Sequence, residues 1–216
     1  MREHRRRGCQ RRGGRWWRGR GRRPRRRAGP PVSGRFELVS EQTLHQGYAI
    51  RLVNASFTSP DGEPFARDIV RAPGAVAVVP VHEGGPEGPE VVLLRQYRPA
   101  LDAWLLEIPA GLRDKEGEAT QATAARELAE EAGLAAARYE LLTEFVNAAG
   151  MTDHRTHIYL ATGLSEVPSA ADGVEEHYLE IERLPLAEAP ALVASGVLVD
   201  AKTVIGLLLA CRRHGL

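Results

Sequence analysis

Glu127, Glu130 and Glu131 have the spacing with the most chemistry in it; they follow Arg126 in the run Arg-Glu-Leu-Ala-Glu-Glu-Ala-Gly-Leu. On a helix, positions i, i+3 and i+4 share a face, so three carboxylates come into register and repel one another. Solvent or a cation must compensate them. Hard divalent ions take oxygen ligands of this type, and Mg2+ usually binds through a few carboxylates together with substrate phosphates. A solvated acidic helix face is the plain alternative.

These glutamates need a helix, and the sequence predicts one over residues 120–132, with Thr120 as N-cap and Gly133 as its stop. At 100° per residue, Ala125, Leu128, Ala129 and Ala132 fall on one arc, and the three glutamates on the opposite one. Such small residues would seat the helix closely on a sheet. Two strongly apolar runs, GAVAVVPVHE and EVVLLRQY, are joined by GGPEGPE and read as a hairpin at the centre of that sheet. Strands are expected near 140–147, 156–162 and 178–184, and helices over 186–195 and 200–213. Before all this, FELVSEQ, YAIRLVNASF and FARDIVR read as a small antiparallel sheet, with a turn at Ser59-Pro60-Asp61-Gly62. Three such strands are marginal alone and need a packing partner. The fold class is α/β: a mixed sheet with helices on its faces.

The chain has 216 residues, 43% of them hydrophobic, enough for a substantial core. Its net charge of +1 hides a division. Residues 1–34 hold fourteen arginines and one acid, whereas the remainder holds fifteen Lys plus Arg against twenty-seven acids. The first segment is expected to be disordered, having too little apolar surface to offset the entropy of ordering. Its arginines could neutralise phosphates while Trp16 and Trp17 stack on bases. The other reading is a translated upstream stretch, with the natural start near Val32. Cys9 and Cys211 form neither a disulfide framework nor a zinc site, which fits a reducing cytosol. No apolar run reaches the roughly 20 residues of a membrane span, and no export signal is evident; a cytoplasmic location is expected.

The stretch GLRDKEGEATQATAARELAEEAGL resembles the Nudix box, the loop-helix-loop signature of hydrolases that cleave nucleoside diphosphates linked to another moiety. Arg126 to Leu134 match its Arg-Glu-aliphatic-x-Glu-Glu-x-Gly-aliphatic core, and Glu118 stands seven residues ahead of Arg126; six residues rather than five separate Gly111 from Glu118. The resemblance implies a Nudix-type α/β/α sandwich over 73–216. It implies Mg2+, or Mn2+ in its place, held by Glu127, Glu131 and the Ala110 carbonyl, with Glu130 joining when more than one ion binds. Arg126 would fix the glutamate rotamers by ion pairing, and Glu118 would orient the helix.

Outside the box, FARDIVRAPGAVAVVPV, VVLLRQYRPA, WLLEIPAGL and VDAKTVIGLLL resemble the ADP-ribose pyrophosphatase branch. That likeness implies a homodimer in which the sheet of residues 35–72 is swapped between subunits. It assigns Arg67 and Arg98 to the diphosphate or terminal ribose. Gln96 and Tyr97 occupy alternate faces of one strand, so only one accompanies Arg98, while Trp104 is expected in the core or lining a pocket. The segment DGVEEHYLEIERLPL aligns with the loop that supplies the general base, making Glu176 the first choice and Glu175 the second. His177 is a poor ligand for so hard an ion. Where ADP-ribose members carry Ser-Pro-Gly and then Asp-Glu, this chain has Ala148-Ala149-Gly150 and Asp153-His154. The expected reaction is hydrolysis of ADP-ribose, with other nucleoside diphosphate sugars as alternatives. A nucleotide sensor or nucleic-acid-binding protein using the arginine-rich segment is the rival from another class.

Overall fold

The computed structural model describes residues 34–169 and 178–216; nearly all of the arginine-rich segment lies outside them. Strands β1 (Glu37–Gln46), β2 (Arg51–Thr58) and β3 (Pro64–Arg71) form an antiparallel sheet in that order. The second sheet has seven strands: β4 (Ala75–Gly85), β5 (Gly88–Arg98), β6 (Ala103–Glu107), β7 (Ala110–Leu112), β8 (Leu134–Val146), β9 (Arg155–Glu166) and β10 (Glu180–Pro185). Its main path runs β10-β5-β4-β9-β8, with β6 on β5 and β7 on β4. The central β4 pairs antiparallel with β5 and parallel with β9, so the sheet is mixed.

Strand β4 is a continuous apolar run because both of its faces are buried. Val76 and Val78 face helix α1 (Thr120–Ala132) through Ala124, Leu128 and Ala132. Ala77, Val79 and Val81 face Leu207 and Ala210 of α3 (Ala201–His214). The result is a three-layer α/β/α sandwich with a core on each side of the sheet.

Several expected boundaries move. Strand β8 begins at Leu134, directly after α1, because Leu134 to Arg138 pair with β9. The segment expected as one helix over 186–195 is a 3-10 turn, Leu186–Glu188, followed by the short α2, Ala189–Ala194. The three-stranded sheet meets the body where the Val70 N–H donates to Met151 O at 2.9 Å and where Arg71 pairs with Asp153 at 2.9 Å.

Candidate active site

Helix α1 starts differently from expectation. Ala119, extended at φ −65° and ψ 142°, occupies the N-cap without a side-chain bond. Thr120 is the first helical residue, and its hydroxyl meets that of Tyr159 at 2.6 Å. Glu118 accepts instead from Thr123 Oγ1 at 2.8 Å, tying the entering loop to the first turn. That hydrogen bond, with Arg126 nearby, holds the Glu118 carboxyl below its usual range. At the other end Gly133 takes φ 62° and its N–H bonds back to Ala129 O, stopping the helix.

The helix is also rotated relative to the two-arc expectation. Its buried face comprises Thr123, Ala124, Glu127, Leu128, Glu131 and Ala132, so two glutamates lie inside rather than on the opposite side. The adjoining strand β7, which holds Ala110 and Gly111, explains why. Gly111 lacks a Cβ, and one built there would sit 2.0 Å from the Glu127 carboxyl carbon. The neighbouring Ala110 N–H donates to Glu131 Oε2 at 2.8 Å. A glycine cradle and a backbone donor thus accept two carboxylates where an ordinary helix would bury aliphatic side chains.

Arg126 binds the outer side of this group. Its Nη1 lies 2.7 Å from Glu127 Oε1 and 2.9 Å from Glu130 Oε2, and its Nη2 is 3.5 Å from both Glu118 and Asp114. Burial opposes its charge, but Glu127, Glu130 and Glu118 hold Arg126 firmly protonated, above its usual range. Burial pushes the Glu127 carboxyl up to about 7 despite the opposing charge of Arg126. Among the described residues no three His, Cys, Asp or Glu side chains gather closely enough to hold a metal ion. The donor chemistry nevertheless fits a hard divalent ion: two carboxylates brought against one backbone turn, in a cradle that a methyl group would fill.

A cation cluster stands on the far side of the same turn. Arg98 donates from Nε and Nη2 to the two oxygens of Glu107, at 2.8 and 2.7 Å. Glu107 is 2% exposed and also accepts from Lys202 Nζ. Lys202 lies 3.0 Å from Asp200, which caps α3 by accepting from the Thr203 N–H at 2.9 Å. The Thr203 hydroxyl in turn accepts from Ile108 N–H. Burial pushes the Glu107 carboxyl up, but Arg98 and Lys202 outweigh it and leave it below the usual range. The hydrogen bond to Glu107 raises Arg98 despite burial, and the charges of Glu131 and Asp200 add to it. Arg98, Lys202, Asp200, Ala110, Gly111, Asn147 and His154 line one cavity of about 270 Å3. His154 is held toward its neutral form by burial, and its Nε2 has no hydrogen-bond partner among the described residues.

Arg67 is elsewhere. It sits 5.1 Å over the Phe65 ring and lines a separate cavity of about 500 Å3 with Phe57, Arg71, Met151 and Asp153. Within one chain, Arg67 and Arg98 do not share a cavity. Gln96 is buried on Arg98's side of β5, whereas Tyr97 faces away and packs on Trp104 at 5.8 Å. Trp104 is 49% exposed and lines none of the cavities described here, correcting its expected place in the core or a pocket. Glu175, Glu176 and His177 lie outside the described residues. Sequence reasoning gave no role to Glu107, Asp200 or Lys202; the signal available for Asp200 was the capping spacing Asp-Ala-Lys-Thr, three residues from aspartate to threonine.

A family model for the NUDIX domain matches residues 71–204. The ADP-ribose pyrophosphatase of Mycobacterium tuberculosis (strain ATCC 25618 / H37Rv) is 37% identical over 173 residues, covering 80% of this chain and 82% of that protein. The GDP-mannose pyrophosphatase of Cronobacter sakazakii (strain ATCC BAA-894) is 28% identical over 184 residues, covering 81% of this chain and 94% of that protein. A solved structure described as an ADP compounds hydrolase shares the fold, with a TM-score of 0.71 at 23% identity over 83% of this chain and 96% of that one. The chain belongs to the Nudix family of hydrolases. Within it, the chain falls in the nucleoside diphosphate-sugar pyrophosphatase group.

Proposed function

We propose that the protein hydrolyses the diphosphate of ADP-ribose to AMP and ribose 5-phosphate in the presence of Mg2+. The observation that carries this reading is the single cavity bounded on one side by the turn that cradles Glu127 and Glu131, and on the other by Arg98 and Lys202. A diphosphate placed there has the strand that cradles Glu127 and Glu131 on one flank and the Arg98 and Lys202 cations, balanced by Glu107 and Asp200, on the other. Water oxygen attacks one phosphorus, the bridging P–O bond breaks, and the proton of the attacking water leaves to a base. Glu127, Glu131 and the Ala110 carbonyl, with Glu130 for a further ion, would hold Mg2+, which would supply charge neutralisation and a more acidic water. Mn2+ would serve in the same donors. Arg98 positions the diphosphate, Arg126 keeps the glutamates in place, Glu118 secures the start of α1, and Glu176, or else Glu175, takes the proton.

The 37% identity to an ADP-ribose pyrophosphatase supports ADP-ribose as substrate. Another nucleoside diphosphate sugar remains the second reading, favoured by Ala149 and His154 standing where ADP-ribose members have proline and glutamate. We propose further that residues 35–72 form a dimerisation sheet that brings Arg67 to the partner's cleft.

The test is turnover of ADP-ribose, GDP-mannose and UDP-glucose by wild type and Glu131→Gln. Preference for ADP-ribose, with kcat down by at least about a hundredfold in the variant and an unchanged melting temperature, is expected. Near-normal turnover by Glu131→Gln would defeat the metal assignment, and preference for GDP-mannose or UDP-glucose would replace the substrate.

A further inference from the structure

We infer that Lys202 is a substrate-positioning residue, setting the charge of the diphosphate cleft and holding the Arg98 fork; this rests on the diphosphate-hydrolase reading above. The charge count in the cluster leads to it. Arg98 is matched by Glu107, an ion pair of no net charge whose carboxylate is almost wholly buried. Asp200 adds a further negative charge on the cavity wall, fixed there because its carboxylate caps α3. Without Lys202 the wall would carry a net charge of −1 towards a substrate that is itself an anion. With Lys202 the wall is neutral, and the ammonium is held between Glu107 and Asp200 with its side chain 14% exposed.

The geometry links Lys202 to Arg98 as well. Glu107 Oε2 accepts from both Arg98 Nη2 and Lys202 Nζ, so the lysine fixes the carboxylate that in turn fixes the guanidinium. Arg98 uses Nε and Nη2 on Glu107, which leaves Nη1 without a hydrogen-bond partner among the described residues. A planar fork held at two of its nitrogens presents the third in one orientation, the arrangement that favours a defined phosphate oxygen. Removing the lysine leaves Glu107 free to re-aim and the wall repulsive. The loss then falls on substrate binding, since neither Glu127 nor Glu131 is touched.

A helix anchor alone would make a different prediction, so the test separates charge from structure. Steady-state kinetics on the sugar nucleotide that wild type turns over best, with Mg2+, are compared for the full chain and for Lys202→Met, Lys202→Arg, Asp200→Asn and the double variant Lys202→Met/Asp200→Asn. Asparagine is as good an N-cap as aspartate, so Asp200→Asn removes charge and keeps the cap. Lys202→Met is expected to raise KM on the order of tenfold or more, with kcat within about threefold. Lys202→Arg should stay near wild type, Asp200→Asn should lower KM, and the double variant should recover most of the loss. A wild-type KM in Lys202→Met, with or without a lower melting temperature, overturns the inference, as does a Lys202→Arg enzyme as impaired as Lys202→Met. Should Lys202→Met fail to fold, a KM raised or unchanged in Asp200→Asn overturns it instead. A wild-type enzyme that turns over no sugar nucleotide removes the parent reading and this inference with it, whereas active wild type with indifferent variants removes this inference alone.

Discussion

At the scale of single residues, the site depends on an absent methyl group. Gly111 lies so close to Glu127 that any Cβ there would overlap its carboxyl carbon at 2.0 Å. Gly111→Ala is therefore expected to displace the carboxylate by an ångström or so and to cut kcat by about a hundredfold, while the melting temperature shifts little. Steady-state kinetics beside a thermal melt decide it, and wild-type kcat would show that Glu127 need not stand where it does. Glu107 gives a pH prediction. Its folded-state pKa is depressed, so it contributes stability that is fully present above the ordinary carboxylate range and is lost as pH falls through the lower folded value. Acid unfolding should thus steepen below about pH 4, and Glu107→Gln should flatten that limb of the stability curve; urea midpoints measured from pH 2 to 7 test it. The box glutamates were legible from spacing because they are neighbours along one helix. The partnership of Glu107 with Lys202 was not, because 95 residues separate them and only the seating of α3 on the sheet brings them together.

At the scale of elements, legibility followed periodicity and length. The span of helix α1 was readable because Gly133 is a strong stop and the intervening residues are good helix formers, whereas its N-cap was not, since Ala119 and not Thr120 holds that position. Strand β8 was foreshortened because Leu134-Ala-Ala-Ala-Arg has helical propensity, which pairing to β9 overrides. Strands β6 and β7 went unread because they have five and three residues and are separated by Pro109. The direction in which α1 buries itself was misread for a physical reason: periodicity counts glutamate as outward, and no window of sequence shows the cradle that Gly111 and Ala110 offer. The abrupt passage from α1 to β8 rests on Gly133, whose φ of 62° disfavours side chains and whose added Cβ would meet Val167 O at 3.2 Å. Gly133→Ala is expected to cost about 1–2 kcal/mol in urea unfolding without altering KM. A loss below the error of that measurement would mean that β8 can shift its register to relieve the strain.

At the scale of the whole molecule, β1 poses a problem that one chain does not solve. All ten of its residues are exposed, and Leu38, Val39 and Leu44 are 52%, 65% and 51% accessible along an edge strand. Long apolar edges of this kind invite pairing and are normally covered. Arg67 poses a second problem, because it lines a cavity separate from the one that holds Arg98, and yet the resemblance to ADP-ribose pyrophosphatases assigns both to one substrate. A second copy of the chain resolves both if its sheet covers β1 and delivers Arg67 to the other subunit's cleft. Subunit complementation tests this more sharply than molecular mass does. Arg67→Ala and Glu131→Gln homodimers should each be poorly active. A coexpressed heterodimer places both defects in one of its two sites and leaves the other site intact. Activity should then return to roughly half the wild-type value per heterodimer, as expected for one intact site of two under isologous symmetry. If each arginine serves its own chain, every site in the mixture carries one defect and nothing is regained, so a heterodimer no more active than the mean of its parents would place Arg67 in its own chain's site.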